Sequence, residues 1–181
     1  MDEKKLYVDG HETETYHTAK MWEIALFSLN NSASNFYLFA FGFLGFYATG
    51  VAGMTTVLIA SVLGLARLFD GLIDPAIGTA IDNINTSWGR YRPIMLLSNI
   101  GLILSFVFLF NIHRMPIPTV VALFIGLIFH KIVYSFQQTV TKAAQASLTN
   151  DPAQRPLFSV FDSIFNLVVF TGGQLSVTRY L

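Results

Sequence analysis

The chain has 181 residues, of which 53% are hydrophobic and only 12% charged, with a formal net charge of zero. A soluble domain gives about a quarter of its residues to charge, and the zero net charge gives no sign of a nucleic-acid partner. Cysteine is absent, which removes disulfides and thiolate metal sites.

Several apolar runs exceed the roughly 18–20 residues that a helix needs to cross a hydrocarbon core. The pattern is that of an all-α integral membrane protein, because lipid offers the backbone no hydrogen-bond partner and a helix satisfies its own. Residues 1–20 mix acids with bases and lack the apolar core of a cleaved signal. They read as a cytoplasmic N-terminal tail ahead of an uncleaved first span.

Span one, residues 21–47, holds Asn30, Asn31, Ser34 and Asn35, with Asn31 and Asn35 four apart on one face. Span two, residues 51–81, carries Arg67, Asp70 and Asp74 at helical spacing inside an apolar run. A charge at the centre of a membrane helix costs about 2.5–3.5 kcal/mol even on the lenient insertion scale, so such groups rarely face lipid and mark functional pathways. At roughly 1.5 Å per residue this span exceeds about 40 Å, and it must tilt or project into water. Span three, residues 93–112, is apolar nearly all round, as a lipid-facing helix would be. Span four, residues 118–147, places Lys131, Ser135, Gln138 and Lys142 along one stripe and His130, Tyr134, Gln137, Thr141 and Gln145 along the next. Span five, residues 157–179, has Asp162 and Asn166 four apart.

Loop charges orient the bundle. Lys4, Lys5 and Lys20 in the tail, Arg90 and Arg92 in the second loop and Arg155 in the fourth lie on one side, against Arg114 in the third. By the positive-inside rule that side is cytoplasmic. The polar faces of spans one, two, four and five need further helices, so the chain reads as the first five spans of a longer protein.

The run Arg67-x-x-Asp70-x-x-x-Asp74-Pro75, followed by Gly78, Asp82 and Trp88-Gly89-Arg90-Tyr91-Arg92-Pro93, resembles the glycoside–pentoside–hexuronide:cation symporters. These are melibiose-permease-like members of the major facilitator superfamily. The resemblance implies a twelve-helix fold of two six-helix halves, with this chain forming most of the first half. It also implies plasma-membrane uptake of a sugar or glycoside, coupled to sodium or protons by alternating access. Asp70 and Asp74 match the cation-site carboxylates, and Ser135 falls where family members use a hydroxyl beside the cation. Ile73 stands where the melibiose permeases have an asparagine. Gln138, Lys142 and Asp162 stand where those permeases have a sugar-binding aspartate, a tryptophan and an arginine. The cation half of the pattern is kept and the sugar half rewritten, which implies a substrate other than melibiose.

Two neighbouring carboxylates can hold a hard cation or take up a proton, and Arg67 one turn away balances their charge. With Ile73 offering no oxygen, Asp70, Asp74 and Ser135 fall short of the roughly six oxygens that a hard cation gathers, which points toward a proton. An ion pair of Arg67 with Asp70 that only stabilises the bundle is the plainer alternative. Gln138, Lys142 and Asp162, with Asn31 and Asn35 opposite, are candidates to bind the substrate. Interhelical hydrogen bonding is the plainer role for the asparagines, and a salt bridge to Asp162 for Lys142. Asp82, Gly89, Arg90 and Arg92 form a loop expected to pack on helix ends and set which face is open. His130 reads as a packed histidine, and Gly172-Gly173 as a site of close helix approach.

No nucleophile–base pair, metal cluster or phosphate loop suggests an enzyme, and no cofactor is implied beyond the coupling ion. The expected partners are a small sugar or glycoside, the cation, the bilayer and the remaining helices. Two alternatives stay open: a lysophospholipid or other amphiphile transporter of the same fold, and a non-transporting membrane sensor or assembly subunit.

Overall fold

The computed structural model describes residues 2–8, 11–84 and 86–180, and the side chains of 17–69, 71–84 and 86–176. The order is β1 (Asp2–Val8), β2 (His11–Thr18), α1 (Met21–Phe41), α2 (Leu44–Gly50), α3 (Thr56–Asn83), α4 (Tyr91–Leu109), a 3-10 turn (Ile112–Arg114), α5 (Thr119–Leu148) and α6 (Arg155–Tyr180). By length and composition α4, α5 and Arg155–Ser176 of α6 can each cross a membrane, and the two arms of α3 together make a fourth candidate.

Two compact units divide the chain: Tyr37–Thr141, and Met1–Phe36 with Lys142–Leu181. In the first, the helix expected over 21–47 breaks after Phe41. The amides of Gly42 and Phe43 bond only three residues back, to Phe39 and Ala40, and the chain restarts as α2. The arms Thr56–Phe69 and Gly71–Asn83 of α3 are inclined by 40°. Pro75 inside this helix lacks an amide proton and crowds the carbonyl four residues earlier, at Gly71, which accounts for the bend.

α2, α3, α4, the 3-10 turn and α5 meet in an apolar cluster of Leu44, Val62, Leu109, Ile112, Ala122, Leu123 and Leu127. Further along α3, Ile77 and Ile81 pack with Ile94 and Val140. α4 and α5 approach so closely that a methyl group on Gly101 would lie 2.8 Å from Val133 Cγ1. Beside these apolar clusters, the α4–α5 contact departs from the pattern of a soluble bundle. Ser98, Ser105 and His130 are buried while Leu97, Leu104 and Val107 on α4 are exposed. Small and polar side chains between helices with leucines outside is how helices associate in lipid, where apolar burial gives no driving force.

In the second unit, residues expected to form only a polar tail pair as an antiparallel hairpin, in register from Asp2↔Thr18 to Val8↔His11 with an irregularity between Leu6 and Tyr7. The sequence signal was Asp9-Gly10, a dipeptide favoured in two-residue hairpin turns. Behind the hairpin, the Glu23 carboxylate accepts the Lys20 amide at 2.9 Å and so caps the start of α1. The Gln154 side-chain amide grips Ala19 at two points, accepting from its N–H and donating to its carbonyl, each at 2.9 Å. Asn150 Oδ1 accepts the His17 amide at 2.6 Å, and Thr149 Oγ1 donates to the His17 carbonyl at 2.8 Å. The segment before α1 and the connection between α5 and α6 thus lie together. Ala19, Ile24 and Phe158 form the core beneath them. A methyl group on Gly172 would meet nothing within 4 Å, so the close approach expected at Gly172-Gly173 does not occur at Gly172.

Candidate functional site

The organising feature of the first unit is a hydrogen bond between two helices: Ser135 Oγ on α5 donates to Asp74 Oδ1 on α3. Pro75 follows Asp74 directly, so the carboxylate sits on the arm of α3 beyond the bend. Asp74 is exposed and Ser135 buried, which leaves the second carboxylate oxygen with room for another ligand. Ile73 turns away into the apolar cluster of Ile77, Ile81, Ile94 and Val140. Arg67 is exposed on the preceding arm. The side chain of Asp70, and with it the Arg67–Asp70 pairing, lies outside the described residues.

Further along α5, Gln138 Nε2 donates to the hydroxyl of Tyr134, one turn earlier on the same helix, at 3.0 Å. His130 is a packed residue. Its Nδ1 lies 2.9 Å from Ser105 Oγ, and its ring stacks on Phe41 at 5.0 Å between centroids. Lys131 Nζ sits 5.9 Å from the centre of the same Phe41 ring, within cation–π range.

The loop residues also come together. Gly89 adopts φ +88°, a left-handed turn that side-chain-bearing residues rarely enter. Its amide donates to the Thr86 carbonyl at 3.0 Å. This reversal brings Arg90 within 3.8 Å of Asp82 at the end of α3. Arg92 is exposed in the first turn of α4. The Asp82–Arg90 pair is solvent-facing, so it positions the loop more than it stabilises the fold.

In the second unit α1 and α6 run parallel, joined by a polar ladder. Ser28 Oγ donates to the Phe158 carbonyl at 3.4 Å. One turn on, Asn31 Nδ2 donates to Asp162 Oδ2 at 2.7 Å, and one turn further Asn35 Nδ2 donates to Asn166 Oδ1 at 3.1 Å. The four-residue spacing of Asn31 and Asn35 matches that of Asp162 and Asn166, so the pairs form in one register. Asp162 Oδ1 is buried with no hydrogen-bond partner among the described residues. The interhelical role weighed for the asparagines is therefore occupied. Lys142 does not bridge to Asp162. It lines a recess with Gln145, Thr149, Arg155 and Phe158. Asn166, Tyr134 and Ser28 are the polar partners that the sequence reading did not place in a site, and their helical spacing from Asp162, Gln138 and Asn31 was the available signal.

Apolar helices long enough to span a bilayer, with polar groups paired between them, define a multi-pass helical membrane protein. The chain belongs to the MFS/sugar transport protein family, which it matches over residues 23–179. It is 38% identical over 86 residues to a glucuronide carrier protein homolog of Escherichia coli, covering 46% of this chain and 19% of that protein. It is 25% identical over 127 residues to a lactose permease of Leuconostoc lactis (67% and 20%), and 27% identical over 135 residues to an isoprimeverose transporter of Lactiplantibacillus pentosus (74% and 28%). The matched chain thus spans 19–28% of the length of these curated relatives. The likeness to the glycoside–pentoside–hexuronide:cation symporters, first read from the motif, agrees with these matches, and the relatives are carriers and permeases rather than enzymes.

Proposed function

We propose that this chain supplies the first five spans of a secondary active transporter. That transporter moves a sugar or glycoside by alternating access, coupled to entry of a proton or sodium ion across the plasma membrane, with the N-terminus cytoplasmic. The observation that carries this reading is the Ser135–Asp74 hydrogen bond between α5 and α3. A carboxylate on a membrane helix, held by a hydroxyl from a neighbouring helix, is a group whose charge a cation can neutralise. Neutralisation changes how strongly the two helices hold each other, which links ion occupancy to helix movement. Asp70 and Asp74 are the proposed cation carboxylates, with Arg67 balancing their charge. Ile73, packed into the apolar cluster, adds no oxygen, and the small donor set favours a proton over sodium.

For the sugar, the ladder of Asn31, Asn35 and Asp162, extended by Asn166, supplies donors and acceptors of the kind that hydroxyl groups need. Asp162 Oδ1 is buried and unpartnered, so it becomes an acceptor for a sugar hydroxyl only when α1 and α6 part, as alternating access would require. Gln138, already bonded to Tyr134, is a further candidate contact. Asp82, Gly89, Arg90 and Arg92 form the loop proposed to set which side is open.

In the full-length transporter, Asp70→Asn and Asp74→Asn are each expected to abolish cation-driven accumulation of sugar while leaving downhill exchange measurable. Wild-type accumulation in both variants would remove these carboxylates from coupling.

A further inference from the structure

We infer that Lys142, Gln145 and Arg155 form an anion-binding recess at the junction of α5 and α6, and that it takes the phosphate group of an anionic membrane lipid. Lys142 and Gln145 lie on the last turns of α5, and Arg155 opens α6. They line a recess of about 130 Å³ with Ala146, Thr149 and Phe158. Phe158 is 2% exposed and Thr149 is 2% exposed, so the base of the recess is buried. The Thr149 hydroxyl is already engaged, donating to the His17 carbonyl and accepting the Asp151 amide. Among the described residues, no carboxylate lies within ion-pair distance of Lys142 or Arg155. The recess thus gathers two positive charges with no acidic group in its lining.

Both basic side chains are exposed, and Arg155 sits at the positive end of the α6 dipole, where an acidic side chain is the usual stabilising choice. An anion in the recess gains from both charges and from the helix end. The Arg155 guanidinium can hold two oxygens of one phosphate, with Lys142 as a point charge and the Gln145 amide as a third donor. The volume is well below the roughly 300 Å³ at which pockets begin to enclose whole small molecules. It fits a charged head whose remainder lies outside.

Lipid phosphate is the source that the position favours. Arg155 begins the apolar segment Arg155–Ser176, so the recess lies at the end of a candidate span, where that span would meet the headgroups. Basic clusters beside a membrane helix are where anionic headgroups gather.

The test is native mass spectrometry of the full chain released from bilayers that mix phosphatidylglycerol with phosphatidylcholine. The wild-type chain is expected to retain phosphatidylglycerol selectively. Lys142→Gln/Arg155→Gln should retain it about 30-fold less, the loss expected for two basic groups at a membrane surface. Lys20→Gln/Arg114→Gln, with the same loss of charge at two residues that do not line the recess, should retain it as the wild type does. Circular dichroism of both variants checks that helix content is unchanged, and Gln145→Leu, which keeps both charges, should give a smaller loss. Millimolar inorganic phosphate added during release distinguishes the sources. Persistence of bound lipid supports the headgroup, and displacement of the lipid by bound phosphate overturns the lipid assignment. Equal retention by the wild type and the recess variant, or no preference over phosphatidylcholine, overturns the recess itself.

Discussion

Replacing Asn31 by leucine should uncouple α1 from α6 by more than any other single change on the ladder. Asn31 donates to a carboxylate at 2.7 Å, whereas Asn35 donates to the neutral Asn166 amide at 3.1 Å. Interhelical hydrogen bonds in membrane proteins couple by about 0.6 kcal/mol on average and about 1.7 at most. A charge-assisted bond is roughly twice as strong as a neutral one. The coupling energy from the cycle Asn31→Leu, Asp162→Leu and the double variant is therefore expected near 1.2–1.7 kcal/mol, and that from Asn35→Leu, Asn166→Leu near 0.6. The single variant Asn31→Leu should cost more than the coupling, because Asp162 Oδ1 already lacks a partner and Oδ2 would lose its donor. Reversible unfolding of the full chain in mixed detergent micelles measures each quantity. Couplings that are equal, or zero for Asn31 with Asp162, would show that α1 and α6 do not meet in this register.

Two further changes probe the packing on either unit. Gly101→Ala drives a methyl group to 2.8 Å from Val133 Cγ1, and a β-branched side chain on a helix has one strongly preferred rotamer, so the helices must part. Overpacking of this kind costs about 1–3 kcal/mol, offset by up to about 1 from better helix propensity, and Val133→Ala in the same chain should restore most of the loss. Gln154→Leu removes both bonds to Ala19, and faster hydrogen exchange at the Ala19 amide is the expected readout. Unchanged exchange there would mean that another group holds the segment before α1.

How much of this was legible beforehand depends on whether one helix or two had to be known. Helical spacing within a span was enough to place Asn31 with Asn35 and Asp162 with Asn166 on shared faces. The Asp74–Ser135 partnership came only through the family motif, because spacing along one helix carries no information about its neighbour. Lys142 and Asp162 looked like a salt bridge for the same reason: opposite charges invite pairing, but Asn31 reaches the carboxylate instead. The break after Phe41 was hidden because Gly42 and Phe43 sit in an uninterrupted apolar run, and hydropathy does not register a change from i→i+4 to i→i+3 bonding. The hairpin was masked by its charged residues, although Asp9-Gly10 was present to signal the turn.

Coupling is the central claim, and proton movement tests it most directly. Lightly buffered, de-energised cells carrying the full-length transporter are given its sugar while external pH is followed with an electrode. The account predicts that the medium turns alkaline as protons enter with the sugar, and that Asp74→Asn abolishes the change while sugar still exchanges. Sugar uptake by the wild type with no movement of either protons or sodium, or an undiminished proton signal in Asp74→Asn, would contradict it.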